Sequence, residues 1–146
     1  MARLKVTSPA FEENGDIPSK YTCDGEDVNP PLQIEGTPQN AKSVVVIIDD
    51  PDATMGIWVH WVVWNIPLID VIEENSTPGV EGINDFQKHT YGGPCPPSGV
   101  HRYFFKAYAL DTMLDLAASS GKKDVEKAME GHILVKGELV GRYRRR

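Results

Sequence analysis

Proline and glycine interrupt this sequence at short intervals, and this spacing limits what the chain can fold into. Eleven Pro and 13 Gly separate short runs of β-branched and aromatic residues. Short strand-like runs with frequent turn signals are typical of β-sandwiches and barrels. We therefore predict an all-β protein, an antiparallel β-sandwich with one or two short helices.

Six runs are candidate strands: Leu4–Val6, Leu32–Ile34, Lys42–Ile48, Trp58–Ile66, His101–Leu110 and Ile133–Val140. The third is continuously apolar, which predicts a strand that is buried on both faces. Alternation along a strand predicts which side chains share a face. In the fourth run this face holds Trp58, His60, Val62, Trp64 and Ile66, and in the fifth it holds His101, Tyr103, Phe105, Ala107 and Ala109.

Helical signals are sparse. The best candidate is Asp124–Glu130, with Asp124 as the N-cap and Gly131 as the stop. A second segment, Asp111–Ser120, has room for a turn or two of helix.

Length and charge bound the class of protein. At 146 residues the chain predicts a single domain, residues 1–146, which can fold without metal or disulfide cross-links. The formal net charge is −6, and residues 1–141 hold 11 basic against 21 acidic residues because four of the last five are Arg. Such an acidic body argues against nucleic-acid binding, which needs a basic face. The Arg tail could touch a polyanion, but a solubilising end is the favoured interpretation.

The sequence shows neither a signal peptide nor an apolar run long enough to span a bilayer, so we predict a cytoplasmic protein without integral membrane association. Its two cysteines, Cys23 and Cys95, match no zinc or CxxC spacing. Free thiols are expected in a reducing compartment. A single bridge between them remains open, and it would close a long loop.

Two segments place polar side chains at or near the ends of predicted strands. Asp50 and Asp52 flank a proline directly after an apolar strand, where carboxylates commonly accept backbone N–H bonds in a turn. His60 lies on an apolar strand between Trp58 and Trp61. Taken alone, each segment favours a structural role.

A third segment is a loop in which six of the eight residues 92–99 are Gly or Pro. It could expose the N–H groups of Gly92, Gly93 and Cys95 as an anion nest, or it could be a rigid connection. Next in the chain, His101 and Tyr103 share one strand face. If the strand ends are adjacent, the polar groups of all three segments converge on one site.

In their order along the chain, these motifs resemble the phosphatidylethanolamine-binding protein family, which includes the Raf kinase inhibitor proteins. The matching stretches are Asp50-Pro-Asp-Ala, Trp58-Val-His60-Trp61 with Asn65-Ile-Pro67, and Tyr91-Gly-Gly-Pro-Cys-Pro-Pro with His101-Arg-Tyr103. Two further stretches, Tyr21-Thr-Cys-Asp-Gly and Asn29-Pro-Pro-Leu32, resemble the small bacterial and archaeal branch. The resemblance implies a β-sandwich with Greek-key connections.

The resemblance also implies a small pocket for phosphate-like anions, including phospholipid head groups. The family's pocket positions correspond here to Asp50, Asp52, Trp58, His60, Gly93, Cys95, Pro96, His101 and Tyr103. Gly92 joins these ligand-binding candidates from the loop itself.

The expected function is a non-catalytic binding or regulatory protein without metal or cofactor. Its ligand would be a phosphate-like anion or a phosphorylated small molecule, and its partners could include kinases. One alternative is a serine-protease inhibitor that acts through a surface loop, 73–81 or 85–90. A weaker alternative is an Asp/His hydrolase or a metal enzyme, since no HExxH, Cys cluster or GxSxG motif is present. A homodimer is compatible with the sequence.

The proposed chemistry rests on histidine. A carboxylate beside His60 or His101 would orient the imidazole and favour its protonated form, so that the cation and backbone N–H groups face the anion. We therefore predict that phosphate affinity weakens as pH rises through the histidine titration. Because Cys23 and Cys95 both lie in the matching motifs, a bridge between them would lock the Gly/Pro loop beside the pocket.

Overall fold

The computed structural model describes residues 3–145. Its strands are β1 (Lys5–Thr7), β2 (Leu32–Glu35), β3 (Ser43–Asp50), β4 (Trp58–Ile66), β5 (Val71–Ile72), β6 (Val80–Glu81), β7 (His101–Leu110) and β8 (Ile133–Tyr143). The helical elements are a single 3-10 turn, Ser19–Tyr21, and one α-helix, α1 (Lys122–Met129). Within this part of the chain no helix has the length and apolar character needed to span a bilayer.

The strands form two sheets in which neighbouring strands are antiparallel. The smaller sheet has the order β1-β2-β5, and the larger has the order β6-β4-β3-β7-β8. Strands β3 and β4 form a hairpin, while β7 returns to pair with β3 on its other side. This crossing connection agrees with the predicted Greek-key sandwich.

The main core lies between the two sheets. The small sheet contributes side chains such as Ile34, and the large sheet contributes alternate residues of β3, β4 and β7, among them Val46, Trp61 and Phe105. A second core covers the other face of the large sheet, where Val45 packs with residues of α1. As predicted, β3 is buried at all eight positions, because both of its faces are covered.

A buried carboxylate fixes α1 to the outer face of the large sheet. Asp49 is 1% exposed, and its Oδ2 accepts hydrogen bonds from Lys106 Nζ at 3.1 Å and from Lys122 Nζ at 2.8 Å. Two cations around one buried carboxylate offset the cost of taking that charge out of water.

The predicted bounds of the two longest runs, Trp58–Ile66 and His101–Leu110, are confirmed. The face assigned to β7 is also confirmed, since Tyr103, Phe105 and the following alternate residues pack into the main core.

The face assigned to β4 is wrong. The pairing with β3 skips His60, and it shifts again before Ile66, where Asn65 has a left-handed φ of 56°. Each irregularity resets the alternation of side chains. Val62 and Trp64 therefore pack in the second core and not beside Ile66.

The helix predictions need two corrections. Helix α1 begins earlier than predicted, and Asp124 is not its N-cap but accepts the N–H of Gly121 from within the first turn. The segment Asp111–Ser120 is not helical. The amide side chain of Asn65 bonds both the N–H and the carbonyl of Leu114, which holds this segment against the sheet and removes those groups from helical pairing.

Candidate functional site

A cavity of about 280 Å³ opens where three neighbouring strands of the large sheet begin or end. Strand β3 ends at Asp50, β4 begins at Trp58, and β7 begins at His101. Because these strands are adjacent and antiparallel, their ends meet at one edge of the sheet, as expected from the sequence. The lining residues are Asp50, Ala53, Thr54, Met55, Trp58, His60, Phe86, Cys95, Pro96, Pro97, His101 and Tyr103.

Asp50 and His101 form a buried pair at this cavity. His101 Nδ1 lies 2.7 Å from Asp50 Oδ2, and the two side chains are 10% and 4% exposed. The second oxygen of Asp50 accepts the backbone N–H of Asp52 at 2.7 Å. Since the carboxylate holds the Nδ1 proton of His101, the imidazole presents Nε2 as its remaining polar atom.

His60 is held in a different way. Its Nδ1 lies 2.7 Å from the carbonyl oxygen of Gly92. A carbonyl only accepts hydrogen bonds, so Nδ1 carries the proton. Burial lowers the pKa of His60 below its ordinary value of 6.5, and the ring is therefore neutral at neutral pH with Nε2 as an acceptor. The expectation that either histidine would face the anion as a cation is thus wrong for His60.

Tyr103 lies between the two histidines. Its ring centroid is 5.2 Å from that of His60 and 6.5 Å from that of His101. Burial raises the pKa of its phenol, which stays protonated and able to donate. The Tyr103 hydroxyl has no hydrogen-bond partner among residues 3–145. It is nevertheless not fully buried, because Trp64 Nε1 is the one fully buried side-chain polar atom without a partner in this part of the chain. Since Tyr103 lines the cavity, its hydroxyl reaches the cavity.

Apolar side chains build the remaining walls. The Phe86 ring meets Trp58 and His60 edge-on, with centroids 5.5 Å and 5.3 Å apart. Buried Asn84 fixes this loop, because its amide donates to the carbonyl of His60 and accepts the N–H of Phe86. At the rim, Met55 is 94% exposed.

Asp52 does not line the cavity, although it was predicted to. Its carboxylate forms two bonds of 2.9 Å with the guanidinium of Arg102 and also accepts the Arg102 N–H. These bonds lower the pKa of Asp52 to about 2. Asp52 therefore fixes the β3–β4 turn to β7, and Asp50 alone of the two carboxylates faces the cavity.

Gly92 and Gly93 do not line the cavity either, and their N–H groups do not form an anion nest. The Gly92 N–H donates to the carbonyl of His60 at 3.0 Å, and the Gly93 N–H donates to Asp27 at 2.7 Å. Their lack of a side chain matters for packing. A Cβ on Gly92 would lie 2.5 Å from the ring of Phe86, and one on Gly93 would collide with the carbonyl oxygen of Tyr21.

The cysteines are paired, which corrects the expectation of free thiols. Cys23 and Cys95 form a disulfide with their Cα atoms 5.4 Å apart. The expectation assumed a reducing compartment, but a bridge depends on whether the fold brings the two residues together. Here the Cys23 N–H donates to the carbonyl of Pro94, so the two segments already lie side by side. The bridge fixes the wall formed by Cys95 and Pro96.

The structure brings together seven of the ten predicted residues: Asp50, Trp58, His60, Cys95, Pro96, His101 and Tyr103. The sequence reasoning missed the contributions of Phe86 and Met55, which lie in loops where periodicity gives no signal. Within residues 3–145 no group of three or more His, Cys, Asp or Glu side chains is arranged to hold a metal ion.

Comparison with known proteins agrees with this architecture. The model of the phosphatidylethanolamine-binding protein family matches residues 7–144. A protein of Methanothermobacter thermautotrophicus named UPF0098 protein is 50% identical over 150 residues, covering 97% of this chain and 99% of its own. A UPF0098 protein of Pyrococcus horikoshii is 51% identical over 154 residues, covering 98% of this chain and 77% of its own.

Two solved structures share the fold. A phosphatidylethanolamine-binding protein homolog from Chlamydia trachomatis is 38% identical with a TM-score of 0.95, over 99% of each chain. YbcL of E. coli, described as a new member of the mammalian PEBP family, is 29% identical with a TM-score of 0.91, over 99% of this chain and 100% of its own. The resemblance seen in the sequence is confirmed, and this chain belongs to the phosphatidylethanolamine-binding protein family.

Proposed function

We propose that this protein is a non-catalytic binding protein whose cavity takes a phosphate group, either free or as part of a phosphorylated small molecule. The observation that carries the proposal is the buried Asp50–His101 pair. In our proposal His101 is the imidazolium, Asp50 is its counter-ion, and the Nε2–H of His101 donates to a phosphate oxygen.

Charge explains why this pair matters most. At a near-surface effective dielectric, unit charges 4 Å apart interact by about 4 kcal/mol before desolvation costs. A neutral hydrogen bond contributes about 1 kcal/mol. Each oxygen of Asp50 accepts one hydrogen bond, from His101 and from the N–H of Asp52, and these two donors offset part of its negative charge toward an incoming anion.

The other polar groups match a phosphate that keeps one proton. The phenol of Tyr103 donates to an anionic oxygen. Neutral His60 offers Nε2 as an acceptor, which suits a P–OH group and disfavours an oxyanion without a proton. The proposed site therefore prefers hydrogen phosphate to sulfate.

The apolar walls leave room for the rest of a phosphate ester. The cavity has a volume of about 280 Å³, which is more than a phosphate group alone fills. Trp58, Phe86 and Met55 line the cavity and would contact the organic part of a phosphate ester.

Family membership supports a binding or regulatory protein in general, and the non-catalytic assignment is ours. It is supported by the disulfide, which leaves Cys95 without a nucleophilic thiolate.

Calorimetric titration of inorganic phosphate at pH 6.5 tests the proposal. We expect one site, weaker binding of sulfate, and about fivefold weaker phosphate binding in Tyr103→Phe, which removes one neutral hydrogen bond. Tyr108→Phe is the matched control, because this tyrosine lies on the same strand and points to the opposite face. An absence of phosphate binding, or equal losses in the two variants, would show that the cavity is not the site.

A further inference from the structure

The disulfide between Cys23 and Cys95 belongs to the cavity wall. Cys95 lines the cavity together with Pro96 and Pro97. Both cysteine residues are half-buried, and neither is part of the two hydrophobic cores. Thiol–disulfide exchange requires that an attacking thiolate reach one of the sulfur atoms. The position of this bridge therefore makes it a candidate for reversible reduction.

On one side, the bridge holds a stretch that has few other attachments. We call residues 95–100 the bridge loop. The four residues before it are each bonded to another segment: Tyr91 to Tyr21, Gly92 to His60, Gly93 to Asp27, and Pro94 to Cys23. Among residues 3–145, no hydrogen bond involves any residue of the bridge loop itself. Its one buried residue is Pro96, and residues 97–100 are exposed. The disulfide is thus the main attachment of the bridge loop within the described chain.

On the other side, the backbone at Cys23 is fixed without the bridge. The N–H and the hydroxyl of Thr22 both donate to the carbonyl of Ser19, and the carboxylate of Asp24 accepts the hydroxyl of Tyr143 at the end of β8. Segments with few buried contacts and few hydrogen bonds open most easily. We therefore expect reduction to free the bridge loop and to leave the turn at Cys23 in place.

Release of the bridge loop would open the cavity beside its buried pair. The loop ends directly before His101, whose Nδ1 bonds Asp50. Water that enters through the opened wall raises the local dielectric and weakens every charge interaction there. In addition, the apparent affinity for a ligand falls in proportion to the fraction of molecules in which the loop is closed. Both effects weaken the binding of an anion.

We propose that the Cys23–Cys95 disulfide is a redox switch for the cavity, which is closed while the bridge is intact and opens when a dithiol reduces it. This inference rests on the proposed function, which supplies phosphate as the ligand whose affinity changes.

The chemistry is ordinary thiol–disulfide exchange. A thiolate of the dithiol attacks one sulfur of the bridge, the S–S bond breaks, and the other cysteine leaves as a thiolate. The second thiol of the dithiol then breaks the resulting mixed disulfide. The dithiol is oxidised to its own disulfide, and Cys23 and Cys95 together take up two electrons and two protons. Oxidised glutathione would reverse the change by the same route.

Calorimetric titration of inorganic phosphate at pH 6.5 tests the switch, with the full chain before and after reduction by dithiothreitol. We expect about tenfold weaker binding after reduction, which corresponds to a closed fraction of about one tenth, and recovery with oxidised glutathione. The double variant Cys23→Ala, Cys95→Ala should bind as weakly as the reduced protein and should not respond to dithiothreitol. Lys122→Met is the matched control. It removes a bond on the other face of the large sheet, keeps the bridge, and should keep the parent affinity.

Acrylamide quenching of tryptophan fluorescence reports the opening without any ligand. Trp58 lines the cavity and is half-buried, whereas the other tryptophans, Trp61 and Trp64, are buried in the cores. Reduction should raise the quenching constant of the parent protein. It should leave the quenching constant of Trp58→Phe unchanged, because only the two buried rings remain.

The outcomes separate the two proposals. If the oxidised parent protein binds no phosphate, the proposed function fails, and the quenching result alone decides whether reduction opens the cavity. If phosphate binds equally well before and after reduction, the switch alone is overturned. Loss of the aromatic near-ultraviolet circular dichroism on reduction, or an equal rise of quenching in Trp58→Phe, would show that the bridge holds the whole fold together. Either result would overturn the switch.

Discussion

His101 Nδ1 and Asp50 Oδ2 lie 2.7 Å apart in a place where both side chains are nearly excluded from water. Removing one member of such a buried, hydrogen-bonded pair is costly, because the polar atom of the other member is left without a partner. The free atom of the pair, His101 Nε2, is the group around which the proposed site is built.

The pH dependence of stability should report the other histidine. Burial lowers the pKa of His60 in the folded state, whereas the unfolded chain keeps the ordinary value of 6.5. The unfolded state therefore binds the proton first as pH falls. We expect the stability that His60 contributes to be complete above about pH 6.5 and to be lost progressively below it.

The variant His60→Asn isolates this contribution, because its amide can still donate to the carbonyl of Gly92. Urea unfolding without phosphate, at pH 7.5 and pH 5.5, should show a smaller loss of unfolding free energy in the variant than in the parent protein. His89→Asn is the control at an exposed position. A pH dependence identical in all three proteins would mean that His60 is not the group responsible.

The disulfide should be a main source of stability. Cys23 and Cys95 are 72 residues apart in sequence, and closing a loop of that length stabilises a protein by about 4 kcal/mol through the unfolded state. The double variant Cys23→Ala, Cys95→Ala should unfold at a correspondingly lower denaturant concentration. Adding a reductant should destabilise the parent protein and leave this variant unchanged.

Thiol counting checks the same claim chemically. Alkylation of the unfolded, unreduced protein followed by mass measurement should find no modified cysteine, and prior reduction should give two. Two modified thiols without reduction would contradict the pairing.

The outer face of the large sheet provides a third prediction. Lys122 Nζ donates to buried Asp49, while neighbouring Lys123 is exposed. Lys122→Met should lower the free energy of unfolding by about 1–3 kcal/mol, because of the described side chains only Lys106 would then still bond Asp49. Lys123→Met should change it little. Chemical denaturation of the two variants decides the matter, and equal effects would contradict the assigned role of Asp49.

Much of the fold was predictable because buried strands leave local signals. The Pro and Gly spacing indicated the class, and apolar runs located β3, β4 and β7 closely. The face of β4 was not predictable from alternation. It depends on a bulge at His60 and on the left-handed backbone of Asn65, and both depend on pairing with a partner strand.

The site residues that lie at strand ends were predictable from the sequence, whereas the residues in the loops that close over the cavity were not. Asp50, His60 and His101 converge because three adjacent strands meet at one edge. The roles of Asp52 and Gly93 were misassigned, since their partners, Arg102 and Asp27, are distant in sequence. Phe86 was missed because it lies in a loop, where periodicity gives no signal. Kinase partners, serine-protease inhibition and a homodimer stay predictions.

The central claim is that Asp50 favours anion binding although its charge is negative. The most direct measurement is the calorimetric affinity for inorganic phosphate at pH 6.5 in Asp50→Asn and in Asp52→Asn. Both variants remove one negative charge near the cavity, but only Asp50 touches His101. Near-ultraviolet circular dichroism verifies that each variant is folded. We predict about tenfold weaker binding in Asp50→Asn and unchanged or tighter binding in Asp52→Asn. Equal or tighter phosphate binding by folded Asp50→Asn would contradict the account.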